Sequence, residues 1–214
     1  MSRLVVRCFS ISIDGSGSGP DQSLDDPMGK GGMALHSWFI GTKSFQTMIG
    51  KSGGSTDSVD ESFASKGFQN IGAWILGRNM FGPVRGPWPD YDWQGWWGDE
   101  PPYHCPVYVL TNYPRPDLHL SDTSFHFVTD GLEAAIQRAK AAAGGKDVRL
   151  GGGVATLRAG FLGKHIDEAH FAVSPVLLGH GEAVFAGLDL PALGYAVTRR
   201  VAGEGAEHIV IGRS

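Results

Sequence analysis

Near residue 150 the chain runs Asp147-Val148-Arg149-Leu150 directly into Gly151-Gly152-Gly153 and then out into Val154-Ala155-Thr156-Leu157. A short strand of β-formers that ends in three glycines and re-emerges as a helix leaves few folds open. Glycine lets the backbone turn sharply and lets another group approach it closely. The helix that follows begins with N–H groups that have no carbonyl partner of their own. The same order recurs at Ala73-Trp74-Ile75-Leu76-Gly77, which leads into Arg78-Asn79-Met80-Phe81. Dense β-forming runs predict further strands over 4–13, 106–111, 125–129 and 166–173, and a β-hairpin over 195–211. Apolar spacing predicts helices over 33–49, 58–70, 132–143 and 154–161, with Gly144-Gly145 stopping the third. Strands alternating with helices require a mostly parallel central sheet flanked by helices, here closed by a C-terminal antiparallel hairpin.

Composition decides what surrounds this frame. Glycine supplies 32 of 214 residues, about twice the usual ~7%. With 42% apolar and 10% aromatic residues the chain is too rich in core formers to be disordered. Its length suits one domain over 1–214. The excess glycine gathers in segments without periodicity, over 15–32 and 51–57. Segment 82–106 also lacks a pattern and carries Trp88, Tyr91, Trp93, Trp96, Trp97 and Tyr103 among prolines and acids. It reads as a packed aromatic loop with one or two rings near the site. Loops as long as 15–32 are functional or mobile more often than incidental.

Charge and cysteine narrow the function. The formal net charge is −4 and no run of like charges occurs, which argues against nucleic acid as a primary partner. Cys8 and Cys105 form no metal pattern. The apolar run at the N-terminus is too short for a signal peptide. No apolar stretch approaches the ~18 residues of a membrane span. A cytoplasmic protein acting on a small molecule is the expectation, without a metal.

Ligands of open α/β sheets bind at the carboxyl ends of the strands. Three such ends have glycine or polar exits: Gly151 to Thr156, Gly77-Arg78, and Leu110-Thr111-Asn112. The first pairs exposed backbone with a helix N-terminus, which suits a pyrophosphate. It is neither the G-x-G-x-x-G fingerprint nor a P-loop, so an ordinary Rossmann domain is not expected. Asp14, at the end of the first strand, is a candidate catalytic carboxylate and equally an Asp-Gly turn residue. His36 is a second candidate. Asp167 and Glu168 are neighbours on a strand and point to opposite faces, so they cannot act together on one atom. His180, between two glycines, reads as a turn residue.

Ser12-Ile13-Asp14-Gly15, Ile75-Leu76-Gly77-Arg78-Asn79-Met80-Phe81, Val107 to Thr111, Gly151-Gly152-Gly153 and the stretch from Ile166 to Phe185 together resemble the dihydrofolate reductase superfamily. The branch they resemble most is the reductase domain of riboflavin biosynthesis. The resemblance implies a dihydrofolate reductase-like α/β fold, NADPH as cofactor, and a homodimer. It implies hydride transfer to a small, pteridine- or pyrimidine-like heterocycle. It assigns the adenosine-side phosphates to Gly77, Arg78, Asn79 and Met80. It assigns the 2′-phosphate ribose to Leu110, Thr111 and Asn112. The pyrophosphate falls to Gly151, Gly152, Gly153, Val154, Ala155 and Thr156. Asn112 is neutral where a folate enzyme often carries arginine, so Arg78 or Arg115 is expected to serve the 2′-phosphate. Aligning Trp38-Phe39 on the folate enzymes puts Leu35 where their carboxylate stands, which argues against dihydrofolate. The alternatives kept open are 5-amino-6-(5-phosphoribosylamino)uracil reductase, a true dihydrofolate reductase, and an NADPH-binding module without catalysis.

Overall fold

A computed structural model describes residues 2–82 and 85–214; residues 83 and 84 of the expected aromatic loop lie outside the described residues. The chain divides into two compact units. The first joins Met1–Val5 to Asn70–Ile166, the second joins Val6–Gln69 to Asp167–Ser214.

In the first unit the strands are β2 (Ile71–Gly77), β3 (Pro106–Leu110), β4 (Leu118–Leu120), β5 (Thr123–Val128) and β6 (Asp147–Gly152). With the start of β1 (Leu4–Ile11) they run in the order β4-β5-β3-β2-β6-β1. All these pairings are parallel except β4 with β5. Ala73, Ile75 and Leu76 of β2 are fully buried, as expected of a central strand covered on both faces. Helix α5 (Leu132–Ala142) buries Ala135, Ile136 and Ala139 on one face. Gly144 and Gly145 then follow with φ of 58° and 85°, conformations that favour glycine and stop the helix. Helices α4 (Arg78–Phe81) and α6 (Val154–Leu162) begin where β2 and β6 end.

The second unit contains the remainder of β1 with β7 (Glu168–Val173), β9 (Glu207–Arg213) and β8 (Tyr195–Ala202), in the order β1-β7-β9-β8. The β8–β9 hairpin is antiparallel, as expected, and β9 is antiparallel to β7. The single helix expected over 33–49 is instead three pieces: a 3₁₀ turn (Gly32–His36), α1 (Ser37–Ile40) and α2 (Lys43–Met48). The break falls at Gly41-Thr42, where the Thr42 hydroxyl accepts a hydrogen bond from the Phe45 amide. Thr42 therefore caps a new helix rather than continuing the old one. Helix α3 (Val59–Lys66) is capped in the same way by Ser58. Segment 15–32 is tied into place by its own backbone, with Gly19 N–H donating to Met28 O at 2.8 Å and Lys30 N–H to Pro20 O at 2.9 Å. Asp167 and Glu168 are each paired with arginine, Arg213 and Arg7 respectively.

Sequence periodicity does not reveal the polar chain through the core of this unit. Cys8 N–H donates to His170 Nδ1 at 3.1 Å, so that nitrogen carries no proton. The His170 proton is then on Nε2, 2.9 Å from His208 Nδ1. His208 in turn carries its proton on Nε2 and gives it to Asp60 Oδ1 at 2.8 Å. Asp60 Oδ2 accepts the Gly205 N–H at 2.8 Å. The His208 ring is fully buried and stacks on Phe63 with centroids 4.2 Å apart. Each donor in the chain meets an acceptor, as a buried polar network requires.

Two histidines make stability depend on acid. Burial lowers the His208 pKa, against the pull of Asp60. Burial alone takes His36 down to about 4. The unfolded chain titrates these rings near 6.5. Below that pH the unfolded state binds more protons than the folded one, so stability rises with pH across this window. The urea midpoint is expected to fall as pH is lowered from about 6.5 towards 4, with His36 contributing on the order of 3 kcal/mol. In His36→Gln that slope should flatten. An unchanged slope would remove His36 as its source.

Candidate cofactor site and catalytic groups

The register of the first unit brings its strand exits level with one another. Leu76 pairs with Gly152, and Gly77 with Leu110. Gly77 lies so close to the turn after β6 that a Cβ on it would stand 2.7 Å from Thr156 Oγ1 and 3.1 Å from Gly153 N. Gly152 has φ of 120°, a conformation side chains disfavour, and its peptide bond to Gly153 is cis. Gly153, by contrast, faces open space: a Cβ there would meet nothing within 4 Å. It is also the N-cap of α6, with no side chain capping the helix. The Leu157 N–H is the one that closes on Gly153 O. The preceding N–H groups of α6 therefore point out of the helix beside an open approach. That is a cradle for an anion, formed by backbone and helix dipole together.

Arg78 supplies a side chain beside this cradle's partner strand. Its three guanidinium nitrogens are shielded from solvent and have no hydrogen-bond partner among the described residues. Its Cζ lies 3.2 Å from the centroid of the Trp88 ring. Burial, reinforced by the like charge of Arg115, lowers its pKa to about 10. A shielded guanidinium with no acceptor is unfavourable unless an anion completes it.

Arg115, the other cation expected near the 2′-phosphate, is already engaged. It donates to the carbonyls of Trp93 at 3.2 Å and Tyr91 at 3.0 Å. The aromatic loop is thus a packed one, as its composition suggests. Indole N–H groups fix it to backbone carbonyls: Trp88 to Tyr113, Trp93 to Phe81 and Trp96 to Asn79. With its amide assigned so that the oxygen accepts, Asn79 meets the Arg85 guanidinium at 2.8 Å. The Thr111 hydroxyl closes a local turn onto Tyr113, while Asn112 and Met80 are exposed. The partnership of Arg78 with Trp88 is not readable from the sequence. Six aromatic residues without periodicity do not say which ring meets which cation.

The second unit carries the two candidate catalytic residues. The Asp14 carboxylate, with the Ser12 side chain beside it, accepts the amides of Leu178 at 3.2 Å and Gly179 at 2.6 Å. These hydrogen bonds hold its pKa below the usual carboxylate value, so it is an anion at neutral pH. His36 ends the 3₁₀ turn with its Nε2 shielded and without a partner among the described residues. With a pKa of about 4 it is neutral at pH 7. Leu35 is fully buried, and its carbonyl accepts the Ser174 hydroxyl at 2.6 Å. Among the described residues no group of three or more His, Cys, Asp or Glu side chains could hold a metal ion.

Residues 3–206 match the sequence profile of the RibD C-terminal domain. The chain belongs to the RibD C-terminal domain family. No curated protein matches this member of the family. Its fold is similar to that of a putative riboflavin biosynthesis protein from Shewanella sp. PV-4, with TM-score 0.60 at 19% identity over all of this chain and 99% of the other. It is also similar to a diaminohydroxyphosphoribosylaminopyrimidine deaminase/5-amino-6-(5-phosphoribosylamino)uracil reductase from Thermotoga maritima, with TM-score 0.53 at 14% identity. The RibD C-terminal family member spans 57% of that longer chain. An α/β fold shared with these riboflavin-biosynthesis structures is thereby established. The family supports an oxidoreductase.

Proposed function

We propose that the protein is an NADPH-dependent reductase that transfers a hydride to a small heterocycle of pteridine or pyrimidine type. The observation that carries this reading is the open, uncapped α6 N-terminus at Gly153, level with the Gly77 and Leu110 strand exits. Gly152, Gly153, Val154, Ala155 and Thr156 would receive the pyrophosphate there. Gly77, Arg78, Asn79 and Met80 would take the adenosine-side phosphate, and Leu110, Thr111 and Asn112 the ribose. Gly151 brings β6 against Leu76 and completes the turn. The cofactor, when bound, would supply the hydride; the chain would bind and orient it, and the balancing proton would come from solvent, since neither Asp14 nor His36 is a protonated acid at pH 7.

Asp14 and His36 are the catalytic groups in this reading, with roles set by their protonation. Asp14 is a fixed anion, and His36 is a neutral hydrogen-bonding ring. Neither stands as a charged acid at pH 7. Asp14→Asn is expected to lower kcat by on the order of 10²-fold. The remaining amide oxygen can still accept one of the two backbone N–H groups. Unchanged reduction rates in a folded Asp14→Asn variant would remove Asp14 from the chemistry. The buried Leu35, in the place of the folate enzymes' acid, weighs against dihydrofolate. Within the family, 5-amino-6-(5-phosphoribosylamino)uracil is the alternative substrate, and a turnover assay with each compound separates them. The protein is proposed to be a cytoplasmic homodimer. The exposed edge strand β8, with Val197 61% exposed, supports a sheet-edge contact.

A further inference from the structure

Arg78 lies in a motif that carries the family resemblance, but Trp88, the ring it stacks on, lies in a segment that the resemblance does not explain. Trp88 belongs to the aromatic loop, not to a strand exit. Its indole N–H is fixed to Tyr113 O at 2.8 Å. Tyr113 is held in turn by the Thr111 hydroxyl. Trp88 therefore spans from the exit of β3 to the Arg78 side chain that follows β2. Phe81 and Phe127 meet the Trp88 ring edge-on, with centroids 6.0 and 5.5 Å away, so the indole is fixed on several sides.

The stacking has a chemical consequence. A guanidinium lying over an aromatic ring uses its face, and its N–H donors lie in its plane. At Arg78 none of the three nitrogens has a hydrogen-bond partner among the described residues. Arg115 lies 4.8 Å from the same ring but uses its donors on Trp93 and Tyr91 carbonyls. Arg85 faces Asn79. Three cations thus gather around one indole-bearing loop, and one of them offers an unused planar fork. A phosphate monoester can accept from such a fork through two oxygens, whereas a ribose hydroxyl cannot match its charge.

We propose that Trp88 is a positioning residue for nucleotide selectivity: it holds the Arg78 guanidinium ready for a phosphate monoester on the adenosine ribose. The chain then prefers a 2′-phosphorylated adenosine to the unphosphorylated one. The inference rests on the reading that the first unit holds a dinucleotide, and it adds the residue that sets the preference.

The test is calorimetric titration of adenosine 2′,5′-bisphosphate and of 5′-AMP, with NADPH as a third ligand, into the full chain. The wild-type protein should favour the bisphosphate over 5′-AMP by on the order of 10-fold or more. Trp88→Leu should reduce that preference to about threefold or less by weakening the bisphosphate alone, with 5′-AMP unchanged. Trp88→Phe keeps a smaller aromatic face and should give an intermediate preference. It carries the test if the leucine variant does not fold. An undiminished preference in either folded variant overturns the proposal. So does an equal loss for both ligands, because a merely structural residue would weaken them alike. Wild-type protein that binds NADPH but shows no 2′-phosphate preference overturns the role of Trp88 and leaves the dinucleotide reading standing. Wild-type protein that binds none of the three ligands overturns both.

Discussion

Replacing Asp60 with alanine is expected to destabilise the protein by about 3–5 kcal/mol, a large share of the 5–15 kcal/mol of a typical domain. The reason is the order of protons in the second unit. Asp60 is the acceptor at the end of the chain that runs from Cys8 N–H through His170 and His208. Its other oxygen holds the Gly205 amide. Removing the carboxylate leaves the His208 Nε2–H and the Gly205 N–H without acceptors. His208 is fully buried, so water cannot replace the lost partner. Asp60→Asn gives a graded comparison. Its one oxygen can accept from His208, but its NH₂ then faces the Gly205 amide, so about half the loss is expected. Urea denaturation of the two variants measures both. A loss below about 1 kcal/mol in Asp60→Ala would mean that this network does not stabilise the core.

A pair of glycine substitutions at the strand exits should separate folding from binding. Gly77→Ala puts a methyl group 2.7 Å from Thr156 Oγ1 and 3.2 Å from Gly152 O. The Thr156 hydroxyl must swing away and the backbone of the turn after β6 must give by a few tenths of an ångström, at a cost of about 1–3 kcal/mol. Gly153→Ala is the opposite case. Its φ of −73° suits alanine, and the new methyl group meets nothing within 4 Å. Stability should change by no more than about 0.5 kcal/mol. The methyl group would nevertheless stand in the open approach to the α6 N-terminus. NADPH affinity should then fall by about 10–100-fold, the equivalent of one or two charge-assisted hydrogen bonds. Melting temperature and calorimetric affinity, measured on the same two variants, read the two effects apart. A Gly153→Ala protein that binds NADPH as well as wild type would place the ligand elsewhere.

How much of this could be read from the sequence depends on whether the relevant interactions are local or distant. The β6–glycine–α6 transition was legible because β-forming residues, three glycines and an apolar helix follow one another directly. The β2–α4 transition was legible for the same reason. The break at Gly41-Thr42 was not, because the apolar spacing of Leu35, Trp38 and Phe39 runs up to it and the cap depends on one hydroxyl. Strand β4 was missed: three residues paired to β5 carry too little pattern to separate from a loop. Local motifs single out the strand-exit glycines and Arg78 in the first unit, and Asp14 and His36 in the second. The charge states of these last two were not legible, since the neutral His36 and the anionic Asp14 follow from burial and from amides contributed by residues 178 and 179. That Arg115 is already engaged is equally hidden in the sequence: the carbonyls it binds belong to Tyr91 and Trp93, more than twenty residues before it.

Thermal denaturation with NADPH tests most directly whether the first unit's strand exits hold a dinucleotide. At a concentration of about 100 times Kd, NADPH should stabilise the folded chain by about 2.7 kcal/mol, or roughly 5–10 °C in Tm. Gly153→Ala should show a much smaller shift at the same concentration. No shift with either NADPH or NADH in the wild-type protein would contradict the account.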